Sequence, residues 1–166
     1  MTPPGHTDPD TEETADGWLA TTERRLATTV ALDGYHVVAI PPGDATALAY
    51  TVGLWRSVGH PELAVAGLEP PVAAQLLHLL AAEVARGARF APGDRPNGFP
   101  PDSRFLFRGI DVRTTDDRLR LAARFHEPGG CAALQLLWPD LDGHFPGEPG
   151  CDPRVDGQQT LPRPSE

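Results

Sequence analysis

The run GYHVVAIPPGDATALAYTVGLWRSVGHPELAVA, residues 34–66, decides the fold. Tyr35 to Ile40 is rich in β-favouring residues and stops at Pro41-Pro42-Gly43-Asp44, a turn sequence in which proline presets φ and glycine tolerates positive φ. Thr46 to Val52 follows closely enough to fold back as a hairpin, and Glu62 to Ala66 makes a third short strand. None of these connections has room for a crossover helix, so the three strands should run largely antiparallel.

Helical patterns flank this unit. Asp16 can cap a helix over about 17–30, where Leu19, Leu26 and Val30 recur at helical spacing, and Gly34 ends it. Pro70-Pro71 open a second helix over about 70–86. Val72, Leu76, Leu80 and Val84 give it a stripe, widened by Leu77 and Leu79, and Gly87 stops it. Residues 91–103 carry four prolines and two glycines, and a loop of that length is either functional or disordered. Arg104 to Arg113 reads as a strand with Phe105 and Phe107 on one face and Leu106, Ile110 and Val112 on the other, which suggests a central position. Thr114 and Asp117 have capping-box spacing for a helix over 115–126. Cys131 to Trp138 is an almost wholly apolar last strand, also expected to be central, before a turn at Asp142-Gly143.

This order predicts one α+β domain of two layers over residues 16–146: a mainly antiparallel sheet of about five strands with helices packed on one face. Residues 1–15 are expected to be a disordered acidic N-terminal tail, and 147–166 a proline- and glycine-rich acidic C-terminal tail.

The chain has 166 residues, 40% of them apolar, which suits one real core. Its net charge of −9 sits at the two ends, and residues 17–139 are neutral. Such a body is a poor binder of nucleic acid or anionic membrane, so neither is expected as a partner. All 14 basic residues are arginine. Without lysine there is no Schiff-base chemistry of the pyridoxal kind and no lysine-bearing phosphate loop. G-x-G-x-x-G, G-x-S-x-G and H-E-x-x-H motifs are also missing. Cys131 and Cys151 form no C-x-x-C pair, and the acidic, proline-containing start is unlike a signal peptide. Both points suggest a reducing cytoplasm and two free thiols, with a disulfide from tail to body as the alternative. No apolar run approaches the ~20 residues of a membrane span.

Three blocks carry a resemblance. They are Gly34-Tyr35-His36-Val37-Val38; then Ala49-Tyr50-Thr51-Val52-Gly53-Leu54-Trp55 with His60-Pro61-Glu62-Leu63; and Leu134-Gln135-Leu136-Leu137-Trp138-Pro139-Asp140 followed by Gly143-His144-Phe145-Pro146. Over roughly residues 30–150 the chain resembles the bacterial domain-of-unknown-function family 4262, whose members show a YTVGL…HPEL block, a helix, a long variable loop and an LQ-x-x-WPD-x-x-G-x-FPW ending. Gly147 stands where that ending carries tryptophan. The layout is also loosely similar to Suppressor of Fused-like domains, a resemblance that implies a binding role, since that group is associated in bacteria with toxin-binding immunity proteins.

The candidate ligand-binding cleft comprises Tyr50, Thr51, Gly53, Trp55, His60, Glu62, Gln135 and Trp138. An imidazole and a carboxylate beside aromatic rings at a strand end suit a small-molecule site. The plainer alternative has Gly53 making a turn, Trp55 packing, and His60-Pro61 shaping the loop. His36, His60 and Glu62 would make a two-histidine, one-carboxylate set, but their spacing is not diagnostic and no metal is assigned. His78 falls on the solvent face of its helix. Gln135, buried in an apolar strand, must find a partner in neighbouring backbone or in a cavity. Asp140 most simply builds the turn through Asp142-Gly143. The cleft requires the strand ends near residues 53 and 138 to lie side by side. These features favour a non-catalytic binding module for a protein partner or small ligand. The alternatives are a small flavin- or metal-assisted enzyme using Tyr50, His60 and Glu62, and a structural subunit of a larger complex.

Overall fold

The computed structural model describes residues 15–96, 104–113, 117–159 and 161. The elements are α1 (Ala15–Asp33), β1 (His36–Ile40), β2 (Leu48–Val52), α2 (Leu54–Val58), β3 (Glu62–Ala66), α3 (Pro70–Ala85), β4 (Leu106–Ile110), a 3-10 turn (Asp117–Leu119) running into α4 (Arg120–Phe125), β5 (Ala133–Leu137) and α5 (Pro153–Gln159). The strands form one sheet in the order β1-β2-β3-β5-β4. β1 pairs antiparallel with β2 from His36↔Val52 to Ile40↔Leu48, and β2 pairs antiparallel with β3 through Tyr50↔Ala64. β5 lies parallel to β3, starting at Glu62↔Ala133, and antiparallel to β4.

The α+β class and the five-stranded, mostly antiparallel sheet are as the sequence predicts. The hairpin, the third strand and the helices α1 and α3 fall where expected. Other features differ. The helices cover both faces of the sheet, not one. Alternate residues of each strand feed two cores: Leu48, Tyr50, Val52, Ala64 and Ala66 meet Leu26 and Val30 of α1 and Ala122 of α4. Ala49, Leu63, Val65, Leu134 and Leu136 meet Leu76, Leu77, Leu80 and Val84 of α3. β4 is an edge strand, not a central one. Phe107 faces the α3 core and Ile110 the α1 core, so apolar residues on both faces report two covered faces and not two strand neighbours.

Val72 and Leu79 of α3 are exposed, and the small residues Ala73 and Ala81 sit against the sheet instead. Residues 54–58, read as loop, form α2. The proline-rich loop at 91–103 and the capping Thr114 lie partly or wholly outside the described residues, as do residues 1–14 of the expected tail. Of the C-terminal stretch, α5 is formed and Leu161 is buried in the α1 core.

Gly53 joins sheet and helix. Its φ of +117° leaves β2 in a conformation that side chains rarely adopt. A Cβ there would sit 2.6 and 2.8 Å from the two methyls of Val30 and 3.0 Å from the Gly34 carbonyl. α1 thus rests directly on the backbone of the turn. Gly53→Ala should cost about 2–4 kcal/mol in urea unfolding, from strain and overpacking together. Adding Val30→Ala should recover part of that loss by removing the clashing methyls; fully additive losses would contradict this packing.

Candidate functional site

Glu62 opens β3 at the same sheet end, and its side chain is 2% exposed. Its Oε1 accepts from the backbone N–H of Gly53 (2.8 Å), the N–H of Trp55 (3.1 Å) and His126 Nε2 (2.8 Å). Its Oε2 accepts from the Thr51 hydroxyl (2.7 Å) and the Leu54 N–H (3.3 Å). The Thr51 oxygen in turn accepts from the Leu63 N–H at 2.9 Å. A helix's first N–H groups lack partners within the helix, and here one carboxylate supplies them from another strand. α2 therefore exists because Glu62 caps it. Both oxygens are taken up by this work, which leaves no free lone-pair direction pointing at an open space for proton transfer.

His60 is similarly engaged. Its Nδ1 lies 2.7 Å from the Pro61 carbonyl, which can only accept, so Nδ1 carries the proton; Nε2 then accepts from the Phe90 N–H at 3.0 Å. Burial holds this imidazole below its ordinary 6.5, reinforced by Arg89 and opposed by the Pro61 bond and Glu62. The neutral ring is a bracket between β3 and the segment after α3. Burial also pushes the Cys131 thiol up to about 12, with Glu62 adding to the effect, so this thiol is a poor nucleophile. Cys131 and Cys151 are both free.

The sheet topology divides the predicted cleft. Because β5 runs parallel to β3, Ala133 lies beside Glu62, and Trp138 emerges at the far end of the sheet. Trp138 packs against the α3 core there. Gln135 is fully buried in mid-strand, and its Oε1 accepts from the guanidinium of Arg108 on β4 at 2.6 Å. Thr51, Gly53, Trp55, His60 and Glu62 do share one sheet end, whereas Tyr50 stands in the middle of β2, and the six do not face one space. Trp55, 40% exposed, borders a groove of about 730 Å³ with Pro61, Asp111, Arg113 and Cys131.

Tyr50 points to the other face, where it stands on the lining of a cavity of about 590 Å³ between α1, β1 and the start of α4. Leu19, Leu26, Val38, Ile40 and Leu121 supply apolar walls, and Arg25, Arg118 and Arg120 stand on its lining. Tyr50 is 1% exposed and its hydroxyl is closed off, with no hydrogen-bond partner among the described residues. Burial holds that phenol well above its ordinary range.

His36 also lines this cavity, apart from the Glu62 cluster. The set His36, His60 and Glu62 is not gathered. Among the described residues, the group with donor atoms close enough for a metal is Asp140, Asp142 and His144, all within 4.8 Å. Asp140 already holds the N–H groups of Asp142, His144 and Asp152, bonds that keep its carboxyl below the usual range. The turn-building role read from the sequence accounts for that cluster without an ion. His78 is exposed, though its Nδ1 meets the Tyr35 hydroxyl at 3.0 Å.

The sequence reading missed His126 and Arg108. Each completes a buried polar group, Glu62 or Gln135, from a distant part of the chain. A carboxylate opening an apolar strand was the available signal, since a buried charge demands partners. It does not name them.

Residues 29–152 match the family described as domain of unknown function DUF4262, and the chain belongs to it. No curated protein and no solved structure matches the chain.

Removing the carboxylate in Glu62→Ala leaves the α2 amides, Thr51 and His126 without their acceptor and should cost about 3–5 kcal/mol in urea unfolding. A loss below about 1 kcal/mol would show that α2 does not depend on it. For His60 the folded state refuses a proton that the unfolded chain accepts below 6.5. Its contribution is therefore present above that value and lost as pH falls below it. The drop in Tm from about pH 7.5 to about pH 5.5 should be smaller in His60→Gln than in the parent chain.

Proposed function

We propose that this member of the family is a non-catalytic binding module that holds a small ligand in the cavity beside Tyr50. The observation that carries the reading is the cavity between α1, β1 and the start of α4, with the Tyr50 side chain and the apolar Leu19, Leu26, Val38, Ile40 and Leu121 on its lining. The cavity of about 590 Å³ falls in the range of small-molecule pockets, and its apolar walls with a few polar groups match their usual make-up. The groups that resemble an acid–base pair, His60 and Glu62, are occupied in holding the turn and the α2 terminus, which supports binding over chemistry.

A mixed panel of small aromatic and aliphatic compounds, read by thermal shift, tests this. Hits should raise the Tm of the parent chain and not that of Thr22→Trp, which fills the cavity from α1. Tyr50→Phe without ligand should be as stable as the parent or slightly more so, because it deletes an unsatisfied group. Hits that stabilise Thr22→Trp equally, or no hits at all, would overturn the reading.

A further inference from the structure

The two edges of the sheet are finished differently. Beside β4, the Phe107 N–H donates to the Asp94 carbonyl at 2.9 Å and the Gly93 N–H to the Phe107 carbonyl at 2.8 Å, so the chain covers its own outer strand there. β1 has no such cover. The Gly67 N–H donates to the Ala47 carbonyl at 2.9 Å, which continues the β2–β3 register and turns the backbone groups of Ala49 toward β3. Backbone groups alternate sides along a strand, so Leu48, Tyr50 and Val52 bond to Ile40, Val38 and His36. Val37 and Ala39 therefore direct both N–H and C=O away from the sheet, and among the described residues nothing bonds to these groups.

Natural edge strands are blunted by charge, proline, a bulge or a covering segment. β1 reads HVVAI, and its pairing with β2 is unbroken, so none of these devices lies within it. Its titratable residue, His36, is kept in the neutral form by burial and by His78. The edge is also within reach. Ala39 is exposed. The cavity under α1 has Ala39 on its lining, and a hollow of about 460 Å³ has Val37 beside Tyr35 and His78. Trp18 of α1, 54% exposed, stands on the same lining as Ala39 and adds apolar surface next to the strand.

A strand with the same pattern meets these needs. A two-fold axis at Val38 sets Val37 against Ala39 of a second copy on either side, and each such pair exchanges both of its N–H···O bonds. Val38 then faces Val38 of the second copy in a close, non-hydrogen-bonded pair. His36 faces Ile40, so no like charges meet across the strands. Pro41, which has no N–H, ends the ladder.

We propose that this chain forms a two-fold dimer in which β1 of each copy pairs antiparallel with β1 of the other, joining the two sheets edge to edge. Because Gly93 and Asp94 cover β4 at Phe107, the assembly stops at two. It requires no ligand in the cavity.

Sedimentation of the full chain over a concentration series tests the proposal. The mass should rise to twice 17.8 kDa at micromolar concentrations. Ala39→Lys places an ammonium at an exposed position of the edge and should raise the dissociation constant about tenfold or more, with far-UV circular dichroism and Tm as in the parent chain. Trp18→Ala should weaken the dimer several-fold. Val38→Cys should give a covalent dimer on mild oxidation, because the Cα atoms of a non-hydrogen-bonded pair lie about 4.5 Å apart, within disulfide reach. Ala39→Cys should not, since the two-fold sets its counterpart two residues away along the strand. A parent chain that stays at the monomer mass would overturn the proposal, whether the Val37 and Ala39 amides are then protected from hydrogen exchange by another part of the chain or left open to a foreign strand. A dimer that Ala39→Lys leaves intact, or that cross-links through Ala39→Cys and not through Val38→Cys, would overturn it as well.

Discussion

The five hydrogen bonds on the Glu62 carboxylate are the constraint on which this end of the molecule depends. A buried charge is costly unless donors surround it, and here the donors are the amides of a turn, a threonine, and a histidine from the opposite helix layer. One side chain thereby fixes three things together: the exit from β2 at Gly53, the start of α2, and the end of α4 at His126. The YTVGL and HPEL blocks are the two halves of this single arrangement, Thr51 and Gly53 from one and His60 and Glu62 from the other. His60 extends it by tying the segment around Phe90 to the start of β3. Residues that look like chemistry in the sequence are, in the fold, a joint.

That joint leaves the other face of β2 free for a different task. Tyr50 and Thr51 are chain neighbours, and strand alternation sends them to opposite sides. Thr51 serves Glu62, whereas Tyr50 ends beneath α1 with its hydroxyl unsatisfied. α1 is positioned by Val30 resting on Gly53, so the depth of the cavity and the tightness of the turn are set by the same contact. The site is thus built from a rigid sheet, a helix docked on its end residues, and the arginines that lead into α4.

Much of the fold was legible because it is local. The hairpin through Pro41-Pro42-Gly43-Asp44, the α3 stripe and its stop at Gly87, and the apolar β5 follow from patterns a few residues long. What was illegible depends on partners far away in the chain. α2 has five residues and no period to speak of, and it is capped from β3. β4 carries core residues on both faces, and periodicity reports faces without saying which strand lies alongside. The predicted cleft failed at a topological step: the direction of β5 beside β3 puts Trp138 at the opposite end from Glu62. Of the eight residues proposed for it, Tyr50 lines the cavity beneath α1, and its companions there, Arg25, Arg118 and Arg120, come from elements that no spacing rule connects.

The most direct test is amide hydrogen exchange across the full chain and its Glu62→Gln variant, which keeps the side-chain volume and removes the charge. The account predicts that the Gly53, Leu54 and Trp55 amides, which donate to Glu62, lose protection together while those inside α3 keep theirs. Unchanged protection at these three amides would contradict it.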